Sequence, residues 1–111
     1  MARPSRRSPR AHVVSGEWPE AKLDGDRAAE AAQRFVARLA AAVGALSLRG
    51  VETATGVDHD TVARILRGDT WPDIATVAHL EHGLGVDLWP GRAQPDEDVD
   101  QTTGLRRDRD T

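Results

Sequence analysis

Two short stretches with helical periodicity flank a single glycine in the middle of the chain, and they constrain the fold more than any other feature. The segment 46–68 reads LSLRGVETATGVDHDTVARILRG, and Gly56 lies between the two stretches. Ser47 and Asp58 each precede a stretch and are natural N-caps, because their side-chain oxygens accept hydrogen bonds from free N–H groups of a first helical turn. Glycine readily adopts the left-handed backbone that ends a helix. The segment therefore predicts two short helices joined by a tight turn.

The rest of the chain adds two further helices. An alanine-rich run follows Asp26, which is another natural N-cap, and an apolar run follows Trp71-Pro72. Strand-like alternation is weak. The predicted helices cover 27–45, 48–55, 58–66 and 73–83, with a last short turn before Pro90. We therefore expect an all-α bundle of four to five helices.

One apolar stripe on each helix is expected to form the core, because apolar residues three and four positions apart share a helix face. The expected core residues are Phe35, Leu39, Val43 and Leu46 on the first helix, Val51 on the second, Val62, Ile65 and Leu66 on the third, and Ile74, Val77, Ala78 and Leu80 on the fourth. Apolar residues make up 39% of the 111 residues and aromatic residues 4%, so the core is expected to occupy only part of the chain.

The two ends of the chain differ in composition from the helical part. Residues 1–25 are predicted to be a basic arm and an extended lead-in, mostly disordered at the start, since the first ten residues combine arginine with proline and serine. Residues 26–92 are predicted to form the helical domain. Residues 93–111 are charged, with little to bury, and are predicted to be a disordered tail.

Composition excludes several classes of protein. The chain has no cysteine, which rules out disulfides and thiolate metal sites. No apolar run approaches the roughly 20 residues of a membrane span, and no hydrophobic region follows the basic N-terminus as it does in a secretory signal. We therefore expect a cytoplasmic protein without membrane contact. The net charge is −3, so any binding of nucleic acid has to depend on local basic patches.

From Ser47 to Leu88 the order of signals resembles the lambda-repressor/Cro, or Xre-type, helix-turn-helix family. The matching residues are Ser47, Gly56-Val57, Asp58, Thr61-Val62, Ile65-Leu66, Gly68, Pro72, Leu80 and Leu84-Gly85-Val86. The resemblance implies a five-helix, lambda-repressor-like bundle that regulates transcription in bacteria or phages. It implies double-stranded DNA as the partner, often a homodimer, no cofactor, and a recognition helix at about 58–67 in the major groove.

Two positions depart from the family pattern. Leu48 stands where the family often has a glutamine that touches phosphate. Glu52 stands where a small residue is usual, because the two helices approach each other there. Its longer side chain has to bend outward, or the helices have to separate slightly. Neither departure breaks the fold pattern.

A helical wheel of the third helix identifies the residues expected to face DNA, because its apolar residues define the buried side. The residues expected to contact DNA bases are His59, Asp60, Ala63 and Arg64. Those expected to contact the DNA backbone are Ser47, Arg49, Arg67 and Thr70. The arginines of the N-terminal arm that are expected to contact DNA are Arg3, Arg6, Arg7 and Arg10. Arg64 is the best candidate, since arginine pairs with guanine through two hydrogen bonds. In the free protein, Asp60 and Arg64 are expected to form an ordinary i,i+4 ion pair.

Other readings of the same residues stay open. The arginines of the arm also fit a solvated tail with no fixed role. The principal alternative function is a protein-interaction module, such as the antitoxin of a toxin–antitoxin pair, with the acidic segment Asp96–Asp100 serving a partner. The spacing of the four histidines is only a weak match to a metal site, so no metal is expected; they are His12, His59, His79 and His82. No catalytic constellation stands out, so no enzyme is expected.

Overall fold

The computed structural model of the protein describes residues 7–92. Its elements are a 3-10 helix at Pro9–His12, strands β1 at Val13–Ser15 and β2 at Lys22–Leu23, and helices α1 at Arg27–Val43, α2 at Leu48–Thr55, α3 at His59–Arg67 and α4 at Ile74–Leu84. The prediction of a mainly helical bundle is confirmed, and the four helices lie within two residues of their predicted bounds. Within the described range, none of the helices combines the length and the apolar character needed to cross a membrane.

Three of the four α-helices begin at the N-cap that the sequence predicts, and α4 begins after Asp73, which was not predicted as a cap. Asp26, Ser47, Asp58 and Asp73 all accept hydrogen bonds through their side chains from backbone N–H groups of the following turn. Gly56 has a φ of 80° and ends α2 in the left-handed region. These local signals determine where the helices start and stop, which is why their bounds were predictable.

A small antiparallel hairpin precedes the bundle. β1 and β2 pair with Val13 opposite Leu23, and the register is irregular between Val13 and Ser15. The expectation of an all-α chain was therefore wrong in this region. The strands have three and two residues, too few for period-two alternation to be visible in the sequence.

Side-chain hydrogen bonds attach the hairpin to the helices. The indole Nε1 of Trp18 donates to the backbone oxygen of Leu66 at 3.1 Å. The Nε2 of Gln33, on α1, donates to the backbone oxygen of Ala21 at 2.6 Å. The hairpin therefore packs against both α1 and the end of α3, and it belongs to the same folded unit as the bundle.

The core is built from one face of each helix together with a residue beyond α4. Its members are Phe35, Val36, Leu39, Val43, Val51, Val57, Val62, Ile65, Val77, Leu80 and Leu88, and Leu66 packs against them. Eight of the twelve predicted core residues belong to this cluster, and Leu66 borders it. Burial of this apolar surface is the main source of stability.

Three residues expected in the core lie at the surface. Leu46 is exposed because α1 ends at Val43, which places Leu46 in the connection to α2. Ile74 is 87% exposed and Ala78 is exposed as well. α4 buries its Val77 and Leu80 side against α2, and Ile74 and Ala78 lie on another side of the helix.

Glu81 fixes the course of the chain after α4. Its Oε2 accepts hydrogen bonds from the backbone N–H of Trp89 at 2.8 Å and of Leu88 at 2.7 Å. These two bonds lower the pKa of Glu81 below the ordinary glutamate value, because they favour the charged carboxylate. The N–H groups of an irregular segment are thereby satisfied, and Leu88 enters the core without a fifth helix.

Replacing Glu81 by glutamine is expected to lower the free energy of unfolding at neutral pH, with a smaller effect in acid. The folded-state pKa lies below the unfolded value, so the carboxylate stabilises the fold above the unfolded pKa. This contribution is lost as the pH falls through the folded pKa. Urea unfolding of both proteins at neutral and acidic pH measures the difference. Glu17→Gln, at an exposed glutamate between the strands, is the matched control; a Glu81→Gln effect that stays constant with pH would contradict the assignment.

Candidate nucleic-acid interface

α2 and α3 are joined by a turn of only three residues, from Gly56 to Asp58. Val57 is buried in the turn, and its N–H donates to the Oγ1 of Thr55 at 3.1 Å. Val51 on α2 and Val62 on α3 are both fully buried. A short glycine-containing turn between two helices is one feature of helix-turn-helix units.

Glu52 resolves the crowding expected between the two helices by reaching across the turn. Its Oε1 lies 2.7 Å from the Nδ1 of His59 and accepts a hydrogen bond from the His59 backbone N–H at 3.2 Å. The Nε2 of the same ring lies 3.6 Å from the Oδ1 of Asp60. Glu52 therefore ties α2 to the first residue of α3. Of the residues predicted to contact DNA bases, His59 is the one whose ring contacts carboxylates within the protein.

The outward face of α3 carries the other predicted base contacts. Asp60, Ala63, Arg64 and Arg67 line a shallow concavity together with Asp58. The opposite side of α3 is buried in the core. Within the described residues, these side chains therefore form the face of α3 that a partner can contact. In DNA-binding helix-turn-helix proteins, the second helix lies in the major groove.

The expected ion pair between Asp60 and Arg64 does not form, and this prediction was wrong. The Nη2 of Arg64 lies 3.4 Å from the Oγ1 of Thr61, while Asp60 is drawn toward the ring of His59. Each of the two side chains finds a nearer partner on the first turn of the helix. The 3.4 Å contact is long for a hydrogen bond, so Arg64 is held only weakly.

Two arginines from distant parts of the sequence meet at the C-terminal end of α3. Arg67 donates through Nε to the Oδ2 of Asp69 at 2.9 Å, and Arg10 pairs through Nη2 with the Oδ1 of Asp69 at 2.6 Å. The backbone N–H of Arg10 also donates to the oxygen of Gly68 at 2.9 Å. Asp69 was not singled out from the sequence, since no local pattern relates it to a residue 59 positions earlier.

Of the other arm arginines, Arg7 lies within the described residues and Arg3 and Arg6 lie outside them. The backbone oxygen of Arg7 accepts a hydrogen bond from the indole Nε1 of Trp71 at 2.7 Å. Its guanidinium donates to the backbone oxygen of Ala11 and lies 4.0 Å from Asp24. The chain from Arg7 onward is therefore folded against the bundle.

The remaining residues predicted to contact the DNA backbone lie in three separate parts of the structure. Ser47 uses its Oγ as an acceptor from the Gly50 N–H at 2.9 Å, which leaves its hydroxyl proton free to donate to another group. Arg49 is exposed on the first turn of α2, and Thr70 is half-buried in the connection between α3 and α4. No hydrogen bond among the described residues joins these three side chains, and their contacts with phosphate stay predictions.

The charge of this surface is mixed. The arginines are Arg10, Arg64 and Arg67, and the acidic residues are Glu52, Asp58, Asp60 and Asp69. Such a surface does not attract a polyanion strongly at long range. Any binding to DNA would therefore have to come from short contacts by individual arginines, and each phosphate contact would add to its salt dependence.

No three of the four histidines considered from the sequence come within ligand distance of one another in residues 7–92. The group that does so consists of Glu52, Asp58 and His59, whose ligand atoms all lie within 4.8 Å of one another. Glu52 already binds His59, and Asp58 caps α3. A cation at this point also meets the positive end of the helix dipole. The geometry therefore offers no preference for a metal ion.

Comparison of the chain with family models, with curated protein sequences and with solved structures gives no match. The resemblance to the lambda-repressor/Cro family consequently rests on the motif residues alone.

Proposed function

We propose that the protein is a sequence-specific DNA-binding transcription regulator of the Xre type, built on a lambda-repressor-like bundle. The observation that carries the proposal is the exposed outer face of α3, which follows a three-residue turn and stands opposite a fully buried face. The major groove of double-stranded DNA is wide enough to admit an α-helix. The protein would act in the cytoplasm on double-stranded DNA, as a homodimer and without a cofactor.

Arg64 is the principal reading residue in this proposal. It is exposed in the middle of α3, and its long contact with Thr61 costs little to give up. A guanidinium in the groove can donate to both O6 and N7 of guanine. Asp60, one turn earlier on the same face, is placed to accept from the N4 amino group of cytosine. His59 and Ala63 complete the face that meets the bases.

Phosphate contacts position the helix in this proposal without reading sequence. Arg67 and Arg10 stand together at one end of α3, where Asp69 holds both guanidinium groups. Arg49, Ser47 and Thr70 are proposed to contact the backbone as well. Each phosphate neutralised by an arginine releases counterions, so each such contact steepens the salt dependence of the affinity.

Arg64→Ala is expected to lower affinity for a bound genomic site by about 10- to 100-fold, since a bidentate base contact contributes about 1–3 kcal/mol of discrimination. Affinity for unrelated DNA is expected to change much less. Gel-shift titrations on a bound genomic fragment and on its scrambled sequence measure both effects, and far-UV circular dichroism checks the fold.

The matched control for Arg64 is Arg27→Ala, an exposed arginine at the start of α1 that pairs only loosely with Glu30 at 3.8 Å. It is expected to bind DNA as the unaltered protein does. If wild type and Arg64→Ala distinguish the genomic site from its scrambled version equally well, Arg64 does not read bases. If the wild type shifts no genomic fragment even at low salt, the DNA-binding proposal itself fails.

A protein-interaction module, such as the antitoxin of a toxin–antitoxin pair, is the second candidate function. The observation in its favour is exposed apolar surface away from α3, where Ile74 is 87% and Trp89 is 59% exposed. Contiguous apolar surface of this kind marks interaction sites. A stoichiometric protein partner that co-purifies with the chain, together with an absence of DNA shifts at low salt, would favour this candidate over the first.

A further inference from the structure

Asp69 holds two arginines from distant parts of the sequence side by side. Its Oδ2 accepts a hydrogen bond from Nε of Arg67 at 2.9 Å, and its Oδ1 lies 2.6 Å from Nη2 of Arg10. The two oxygens of one carboxylate are neighbours, so the two guanidinium groups are neighbours as well. Both guanidinium groups are positively charged, and the one carboxylate between them leaves the cluster with a net positive charge.

The backbone that carries this cluster is fixed by the fold. Pro9, directly before Arg10, is fully buried, and the N–H of Arg10 donates to the oxygen of Gly68 at 2.9 Å. The N–H of Asp69 donates to the oxygen of Arg64, on the last turns of α3, at 2.9 Å. A ligand that binds both guanidinium groups therefore orders little additional chain.

Each arginine keeps hydrogen-bond donors for a second anion. A guanidinium group has five N–H donors, and the contacts with Asp69 occupy only Nε of Arg67 and Nη2 of Arg10. The side chains of Arg10 and Arg67 are 54% and 55% exposed, whereas that of Asp69 is 26% exposed. The two arginines are thus more accessible to a ligand than the carboxylate that holds them.

We propose that Arg10 and Arg67 bind one phosphate group of the DNA backbone between them, and that Asp69 is the positioning residue that keeps them together. This role rests on the DNA binding proposed above, and it adds the shared phosphate and the function of the carboxylate. Guanidinium groups bind phosphate through charge-assisted hydrogen bonds, often two from one arginine. Two like charges side by side repel each other, and Asp69 offsets that repulsion before the phosphate arrives.

The opposite role for Asp69 is that of a competitor, which would occupy the arginines and weaken DNA binding. The contacts favour the positioning role, because each arginine meets Asp69 through one nitrogen and keeps other N–H groups for the phosphate. The phosphate therefore does not have to displace the carboxylate. The two roles predict changes of opposite sign in the DNA affinity when the carboxylate is removed.

Asp69→Asn is expected to weaken binding to duplex DNA by about 10-fold, the effect of one lost hydrogen bond to a charged group, although the change makes the protein more positive. Asparagine has one acceptor oxygen and one NH₂ group that only donates, so it can hold one of the two arginines and releases the other. Fluorescence anisotropy on a labelled genomic duplex that the wild type binds measures the affinity.

The matched control is Asp87→Asn, the same change at an exposed aspartate after α4. This variant is expected to bind the duplex as tightly as the wild type does, and circular dichroism verifies that both variants are folded.

The salt dependence of the affinity counts the phosphates that the two arginines contact. The slope of log affinity against log salt concentration changes by about 0.9 for each phosphate contact to duplex DNA. A double variant that carries Arg10→Ala and Arg67→Ala is expected to reduce the magnitude of the slope by about 0.9, because both side chains bind the same phosphate. Contacts with two separate phosphates would reduce it by about 1.8.

Two results would each overturn the proposal while DNA binding itself stands. One is an Asp69→Asn protein that binds the duplex as tightly as the wild type or more tightly, which would make Asp69 a competitor or a bystander. The other is a reduction of the slope by the larger amount in the double variant, which would give each arginine its own phosphate. A wild-type protein that binds no duplex at low salt would instead overturn the proposed function, and the shared phosphate with it.

Discussion

Replacing Gly83 by alanine is expected to force α4 away from α2 and to lower the free energy of unfolding by about 3 kcal/mol, the upper end of ordinary overpacking effects. A Cβ at this position would collide with the backbone oxygen of Ala54 and would lie 2.6 Å from the Cα of Thr55. Both are backbone atoms of α2, so a side-chain rotation cannot relieve the contact. Helix propensity alone predicts the opposite sign, since alanine favours a helix over glycine by about 1 kcal/mol.

Gly50→Ala is the matched control for Gly83, because Gly50 also lies inside a helix. Its added Cβ would meet the Ser47 Oγ at 3.3 Å and the Leu46 Cδ2 at 3.6 Å, both of them side-chain atoms that can move. We expect this variant to be as stable as the wild type or slightly more stable. Urea unfolding of the three proteins gives the comparison. A Gly83→Ala protein as stable as Gly50→Ala would contradict the close packing of α2 against α4.

Gly68→Ala is expected to displace Trp18 and to loosen the hairpin, with a loss of about 3 kcal/mol from backbone strain and overpacking together. Gly68 ends α3 with a φ of 76°, a conformation that alanine adopts only at a cost. Its added Cβ would lie 2.6 Å from Cε2 of Trp18. The indole would have to move, which breaks its hydrogen bond to Leu66.

Gly85→Ala separates the two causes of this loss. Gly85 ends α4 with a φ of 70°, and an added Cβ there meets nothing within 4 Å. The free energy of unfolding of this variant is expected to fall by only the part that comes from backbone strain, about 1 kcal/mol. Urea unfolding measures the loss in both variants. Equal losses at Gly68 and Gly85 would mean that Trp18 does not cover the end of α3.

Local signals made the helices predictable from the sequence. Asp26, Ser47, Asp58 and Asp73 are short polar residues directly before apolar periodic runs, and each caps its helix in the structure. The turn at Gly56 was equally clear. These features depend on residues within one helical turn of each other, so the sequence alone contains the physical cause.

Side-chain contacts between distant residues were not predictable in this way. Arg10 reaches Asp69, and Trp18 reaches Leu66, across more than 40 residues of sequence. The orientation of α4 was also missed, because its face with Ile74 is as apolar as its buried face. Periodicity predicts that a helix has an apolar side, but which side is covered depends on the packing of the other helices.

The segment before α1 packs against the C-terminal end of α3, the proposed recognition helix. Arg10 binds the backbone at Gly68 and shares Asp69 with Arg67, while Trp18 covers Gly68 itself. The first described residues of the chain are thus placed beside the surface that we propose meets DNA. Among the described residues, Arg10 is therefore the arginine of the predicted arm that lies beside this proposed surface, at the end of α3.

Selection of bound sequences from a random pool of double-stranded DNA tests the central claim most directly. The account predicts that the wild-type protein at low salt enriches a defined motif that includes a guanine. It also predicts that Arg64→Ala loses the preference at that guanine and retains the rest of the motif. A pool that shows no enriched motif after repeated selection with the folded wild-type protein would contradict the account.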